Sequence, residues 1–131
     1  KSKKSLKKIS QIGVPPMNLN SVLNESIFDE SVENLLEKIK VDYAKWTDWE
    51  EGIQRFNEGI RIKVGTKYTK VLTNGSVWGF IANKDGVHKG IPHQMGDVFK
   101  AAGWAAPAKW VRGSIFDGKT DWFSWTGPNY L

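Results

Sequence analysis

A chain of 131 residues with 40% hydrophobic side chains and a formal net charge of +5 has room for one domain and an appendage. It holds no cysteine, which excludes disulfides, thiolate zinc sites and cysteine nucleophiles; no apolar run approaches the roughly 20 residues of a membrane helix, and the N-terminal lysines lack the apolar stretch that a secretory signal places behind them. The compositional peculiarity is seven tryptophans, each able to bury about 150–250 Å², so that a few of them can hold a small core together.

A start at Lys1 without methionine is what a processed chain or an excised piece would show, and the lack of cysteine suits a reducing compartment. The charge is unevenly placed. Residues 1–12 hold five lysines and no acid, residues 13–60 hold ten acids and four bases, and residues 61–131 hold ten bases and four acids. Three blocks of alternating sign point to a polyanionic partner more strongly than the total does; they also fit a solubilising tail with helix-to-sheet complementarity.

In chain order, residues 1–17 form the first unit, a flexible lysine-rich arm and linker. Leu6, Ile9 and Ile12 fall at helical spacing, but so short a segment is marginal as a helix in water, and Val14-Pro15-Pro16-Met17 predicts extended backbone. The second unit, 18–131, is predicted as one α+β domain: an N-terminal helical pair over about 29–58, packed on a small antiparallel β-meander within about 60–131 that includes a short C-terminal helix. Leu35, Leu36, Ile39, Tyr43 and Trp46 set the first helix at steps of three and four. Thr47-Asp48-Trp49-Glu50 matches a capping box for the second, over 48–57, with Trp49, Ile53 and Phe56 inward and Gly59 as its stop.

From Ile60 the period becomes two. Gly65-Thr66 suits a two-residue turn, and Asn74-Gly75 is the chain's strongest hairpin signal. It pairs Val71 with Trp78 and Thr69 with Phe80, so one face shows Lys67, Thr69, Val71, Trp78 and Phe80. Tyr68, Lys70, Leu72, Val77, Gly79 and Ile81 share the other, and both faces are partly apolar, which leaves the buried one open. Residues 83–96 read as a loop and Asp97–Ala101 as a strand. Pro107 and Gly113 bracket the expected short helix 106–113, and 121–128 alternate like a last strand.

The order of Lys67-Tyr68-Thr69-Lys70-Val71, Ser76-Val77-Trp78-Gly79-Phe80-Ile81, the run Gly96 to Lys109 with Gly96-Asp97-Val98-Phe99-Lys100 and Gly103-Trp104, and Arg112-Gly113-Ser114-Ile115 resembles a small uncharacterised domain found in predicted proteins of tailed bacteriophages. The resemblance covers about 60–131, with 84–95 as an insertion. It implies a phage origin and a host-cytoplasmic or virion setting, and it brings no catalytic residue and no cofactor.

Nucleic-acid binders set cations for phosphate among flat side chains for bases. The residues that fit are Lys3, Lys4, Lys7 and Lys8 of the arm, Lys67 and Trp78 of the hairpin, and Lys100, Trp104, Lys109, Trp110 and Arg112. Lys109 and Arg112 would share a helix face; buried tryptophans with solvated cations would give the same pattern. Among Trp122 and Trp125, at least one is expected in the core. His88 and His93 with Asp97 could hold a metal or a proton only in an unfamiliar spacing and are expected to be exposed loop residues. Phosphate loops, an inward pair of carboxylates and a nucleophile elbow are absent. The expectation is a non-enzymatic, weakly sequence-specific nucleic-acid binder without cofactor, metal or membrane attachment, DNA ahead of RNA. The alternative is a protein-binding module, either a virion component or an effector of a host or phage enzyme.

Overall fold

The computed structural model describes the backbone of residues 16–129 and the side chains of residues 25–129; the arm residues Lys3, Lys4, Lys7 and Lys8 lie outside them. The first helix, α1 (Pro16–Trp46), begins well before the expected residue 29. Pro16, placed by sequence in an extended linker, is its first residue, where a missing amide costs nothing. Val32, Leu35 and Ile39 are buried, and Phe28, Leu36 and Tyr43 pack beside them, one stripe at steps of three and four.

The second helix, α2 (Glu50–Gly59), starts two residues later than expected. The capping box does not form: Thr47 Oγ1 accepts from the Trp49 amide at 3.1 Å and leaves the Glu50 amide alone. Phe56 is buried and Ile53 half-buried, whereas Trp49 is exposed.

Among the described residues nine strands follow: β1 (Ile60–Val64), β2 (Tyr68–Thr73), β3 (Ser76–Ala82), β4 (Gly86–His88), β5 (Ile91–His93), β6 (Asp97–Ala101), β7 (Pro107–Ser114), β8 (Phe123–Ser124) and β9 (Gly127–Pro128). The main sheet is antiparallel in the order β1-β2-β3-β6-β7. The fold is thus α+β. The predicted loop 83–96 contains the β4–β5 ribbon, turned at Lys89-Gly90, both with positive φ, and it is inserted between β3 and β6, which pair directly.

Two expectations give way to tertiary pairing. The predicted C-terminal helix 106–113 is instead β7, paired with β6 along most of its length. Eight residues are too few for a helix to hold against a strand that completes the sheet, and Pro107, the first residue of an edge strand, withholds no ladder hydrogen bond. The β1–β2 connection is longer than a two-residue turn: Val64 pairs with Thr69 and Lys63 with Lys70. Gly65 N donates to Tyr68 O at 2.9 Å across it.

At Asn74-Gly75 both residues take positive φ, 50° and 86°, as a type I′ turn requires, and Thr73 meets Ser76 as expected. Beyond it, Leu72 pairs with Val77 but Val71 with Gly79, so Trp78 is a bulge residue and the register slips by one. Every later side chain of β3 therefore changes side relative to the simple pattern. Thr69, Val71, Trp78, Ile81 and Val98 face the helices. Phe80 joins Tyr68, Ala82 and Phe99 in a second, smaller core on the opposite face.

The C-terminal β8–β9 pair closes the helix side. Asp42 Oδ2 of α1 accepts from Trp125 N at 2.9 Å, and Trp125 meets Tyr43 and Phe56 edge-on. Both Trp122 and Trp125 are half-buried. A Cβ at Gly79 would stand 2.9 Å from the Phe99 carbonyl and 3.3 Å from Pro128 Cγ, contacts with backbone and a rigid ring that cannot swing aside. Gly79→Ala is expected to destabilise the protein by about 1–3 kcal/mol, read as a lower urea midpoint at unchanged slope; an unchanged midpoint would show that β9 moves away freely.

Candidate nucleic-acid interface

On the sheet face opposite the helices, β2 and the β1–β2 connection line a groove of about 260 Å³. Its cations are Lys63, Lys67 and Lys70; Tyr68 and Phe80 contribute its rings, and no acidic side chain lines it. Lys63 and Lys70 are cross-strand partners. Like charges at that position repel, so the pairing disfavours the fold slightly while concentrating positive potential.

The connection that carries Lys67 is fixed by Asn83. Its amide NH₂ donates to Gly65 O at 2.9 Å, its backbone N–H donates to Lys67 O at 2.9 Å, and its Oδ1 accepts from the buried Thr69 hydroxyl at 2.6 Å. Tyr68 is half-buried between Phe80 and Phe99. Burial pushes its hydroxyl above the usual tyrosine range, so the phenol stays neutral and adds no negative charge to the groove.

Trp104 lies in the β6–β7 turn, where the Ala102 and Gly103 amides both donate to the Ala106 carbonyl. Trp104 is 58% exposed. The Lys70 ammonium sits 4.3 Å from the Trp104 ring centre and 5.8 Å from that of Phe80, within the range of cation–π attraction. Lys70 thereby joins the groove to the Trp104 platform. On β7, Trp110 is 46% exposed with the Lys109 ammonium 5.0 Å from its ring centre.

The remaining predicted residues do different work. Trp78 is 2% exposed and belongs to the helix-side core; its indole N–H donates to Ser124 O at 2.9 Å, so it cannot stack on a ligand. The Lys100 ammonium donates to Pro128 O at 2.8 Å. Arg112 is three residues from Lys109 on a strand rather than on one helix face, and it donates to Asn129 O at 2.7 Å. Lys100 and Arg112 thus fasten the C-terminal residues to the sheet. Of the expected set within the described residues, Lys67, Trp104, Lys109 and Trp110 remain displayed. Sequence reasoning missed Lys63, Lys70 and Tyr68, because their convergence needs the longer β1–β2 connection.

His88 and His93 are half-buried rather than exposed. Both rings pack on Tyr68 and Phe99, and His88 Nε2 lies 3.2 and 3.1 Å from the carbonyls of Pro107 and Ala108. They hold the β4–β5 ribbon on the smaller core. Among the described residues, no three His, Cys, Asp or Glu side chains converge as a metal site would require.

The acids gather on the other side. Glu25, Asp29, Glu30, Glu33 and Glu37 of α1 and Glu50, Glu51 and Glu58 of α2 are exposed, and Trp46 and Trp49, 64% and 55% exposed, stand at the corner between the helices. Anionic iodide should therefore quench Trp104 and Trp110 preferentially and cationic caesium Trp46 and Trp49. Quenching of a Trp104→Phe/Trp110→Phe variant against a Trp46→Phe/Trp49→Phe variant checks this; equal losses with both ions would mean that the two potentials are not separated.

No curated protein and no solved structure matches the chain. A family of unknown function (DUF7717) matches residues 19–130, and the chain belongs to it.

Proposed function

We propose, for a member of a family that carries no assigned activity, that the protein binds nucleic acid non-enzymatically along the sheet face opposite α1 and α2. The observation that supports this reading best is the acid-free groove of Lys63, Lys67 and Lys70, joined through the Lys70 ammonium to the exposed Trp104 ring. Three ammonium groups would neutralise phosphates, and Trp104 has an outer face for a base. Such a site reads backbone charge and the flat face common to all bases, so sequence preference is weak. Single-stranded DNA suits lysines set beside an exposed ring better than a duplex, whose bases keep their faces stacked. A phage-encoded accessory protein acting in host cytoplasm or virion is the setting that the resemblance of residues 60–131 implies, and it is part of this proposal.

A second reading, a protein-binding module, draws on Trp46 and Trp49, which stand exposed among the carboxylates of α1 and α2 and would fit a partner with a basic surface.

Fluorescence titration of the full chain with a random single-stranded DNA oligonucleotide tests the first reading. Log affinity against log salt is expected to fall with a slope of about −2 from the three groove lysines, at about −0.7 per phosphate. Trp104→Ala is expected to weaken binding by about 1–3 kcal/mol, roughly 5- to 150-fold, and Lys67→Gln to make the slope shallower by about 0.7. An affinity indifferent to salt, or to Trp104→Ala, would overturn it and leave the acidic corner to carry the function.

A further inference from the structure

A larger groove, about 580 Å³, lies between α1 and the edge of the sheet. Phe28 of α1 and Ile62 and Val64 of β1 are part of its apolar lining, and Glu25, Asp29 and Glu33 line it as well. Ile62 and Val64 are 40% and 69% exposed, a high apolar exposure for residues on the helix side of a sheet. The three carboxylates recur every fourth residue and so form one stripe along α1. None of the three has an ion-pair partner among the described residues.

An occupant must therefore bring apolar side chains for the floor and cations for the stripe. Residues 1–12 have that composition: Leu6, Ile9 and Ile12 among Lys3, Lys4, Lys7 and Lys8, with the lysines also recurring at steps of three and four. Three residues separate the segment from the start of α1 at Pro16. A helix rises 1.5 Å per residue, so Glu25 and Glu33 lie about 14 and 26 Å along the axis from Pro16, while fifteen residues reach up to about 50 Å when extended. Its attachment also gives it a high effective concentration at the groove. An antiparallel return along α1 brings the lysines nearest the chain start to the carboxylates farthest along the helix.

We propose that the groove between α1 and β1 is the docking site of the chain's own residues 1–12, with apolar side chains on Ile62, Val64 and Phe28 and lysines on Glu25, Asp29 and Glu33. The nucleic-acid reading uses the other face of the sheet, and the two grooves meet at Val64, which lines both.

A water-soluble carbodiimide, which joins an ammonium to a carboxylate in contact, tests this on the full chain when the links are mapped by mass spectrometry. The expected links run from Lys3, Lys4, Lys7 and Lys8 to Glu25, Asp29 and Glu33, with a yield independent of protein concentration. Val64→Lys, at a well-exposed position, should lower that yield several-fold with an unchanged far-ultraviolet circular dichroism spectrum. As a second measurement, reversing Lys3, Lys4, Lys7 and Lys8 to glutamate should shift the Met95 and Val64 methyl resonances. Links spread equally over the carboxylates of α2, a yield that rises with concentration (a second copy's segment in the groove), or unmoved methyl resonances would overturn the proposal.

Discussion

At Trp78, β3 carries one residue more than β2 opposite it, and the sidedness of the whole sheet follows from that residue. The slip sends Ile81 to the helix side and Phe80 and Ala82 to the other, while Trp78 keeps its place beside Val71 on the helix side, so the central strand is buried on both faces. The helix side is large because α1, α2 and the β8–β9 pair all cover it. On the far side the ribbon β4–β5 covers only Phe99 and its neighbours, and the remainder is left to Lys63, Lys67 and Lys70. Without the bulge, Phe80 would point at the helices and the basic groove would lose an aromatic wall.

The sheet thus divides charges as well as cores. Cations that the fold uses internally are those beside the C-terminal residues: Lys100 and Arg112 donate to backbone carbonyls of Pro128 and Asn129. Carbonyls suffice for this, since a charge-assisted hydrogen bond needs no opposite charge to be strong. The groove lysines have no such duty, and Lys63 and Lys70 are held side by side against their mutual repulsion. The attraction of the Lys70 ammonium to the Phe80 and Trp104 rings offsets part of that repulsion.

The helices, the Asn74-Gly75 hairpin and strand β6 were legible because each rests on local signals: steps of three and four, paired positive φ, and alternation. Local signals failed at the Thr47–Glu50 cap, at Pro16 and at the β1–β2 connection, and the larger failure has its decisive partner far away in sequence. The 106–113 segment has the bracketing residues of a helix, yet β6 gives it a sheet edge to complete, and pairing outweighs eight residues of weak propensity. Half of the candidate interface was legible on the same terms. Exposed Trp104 and Trp110 beside lysines could be read from composition, but Trp78 could not be told from them without knowing which face of the hairpin the helices cover. The Lys63–Lys70 pairing could not be derived without the true length of the β1–β2 connection, and Lys100 and Arg112 look free until the C-terminal residues return over them.

The outermost strand of the sheet has a consequence for self-association. Among the described residues β1 has a partner on one side only, and its residues Arg61 and Lys63 share a face. Were two molecules to join by aligning this strand antiparallel about Ile62, Arg61 of each would stand opposite Lys63 of the other. Cations along an unpaired margin are a common safeguard against runaway sheet extension, and here the same lysine that lines the groove provides it.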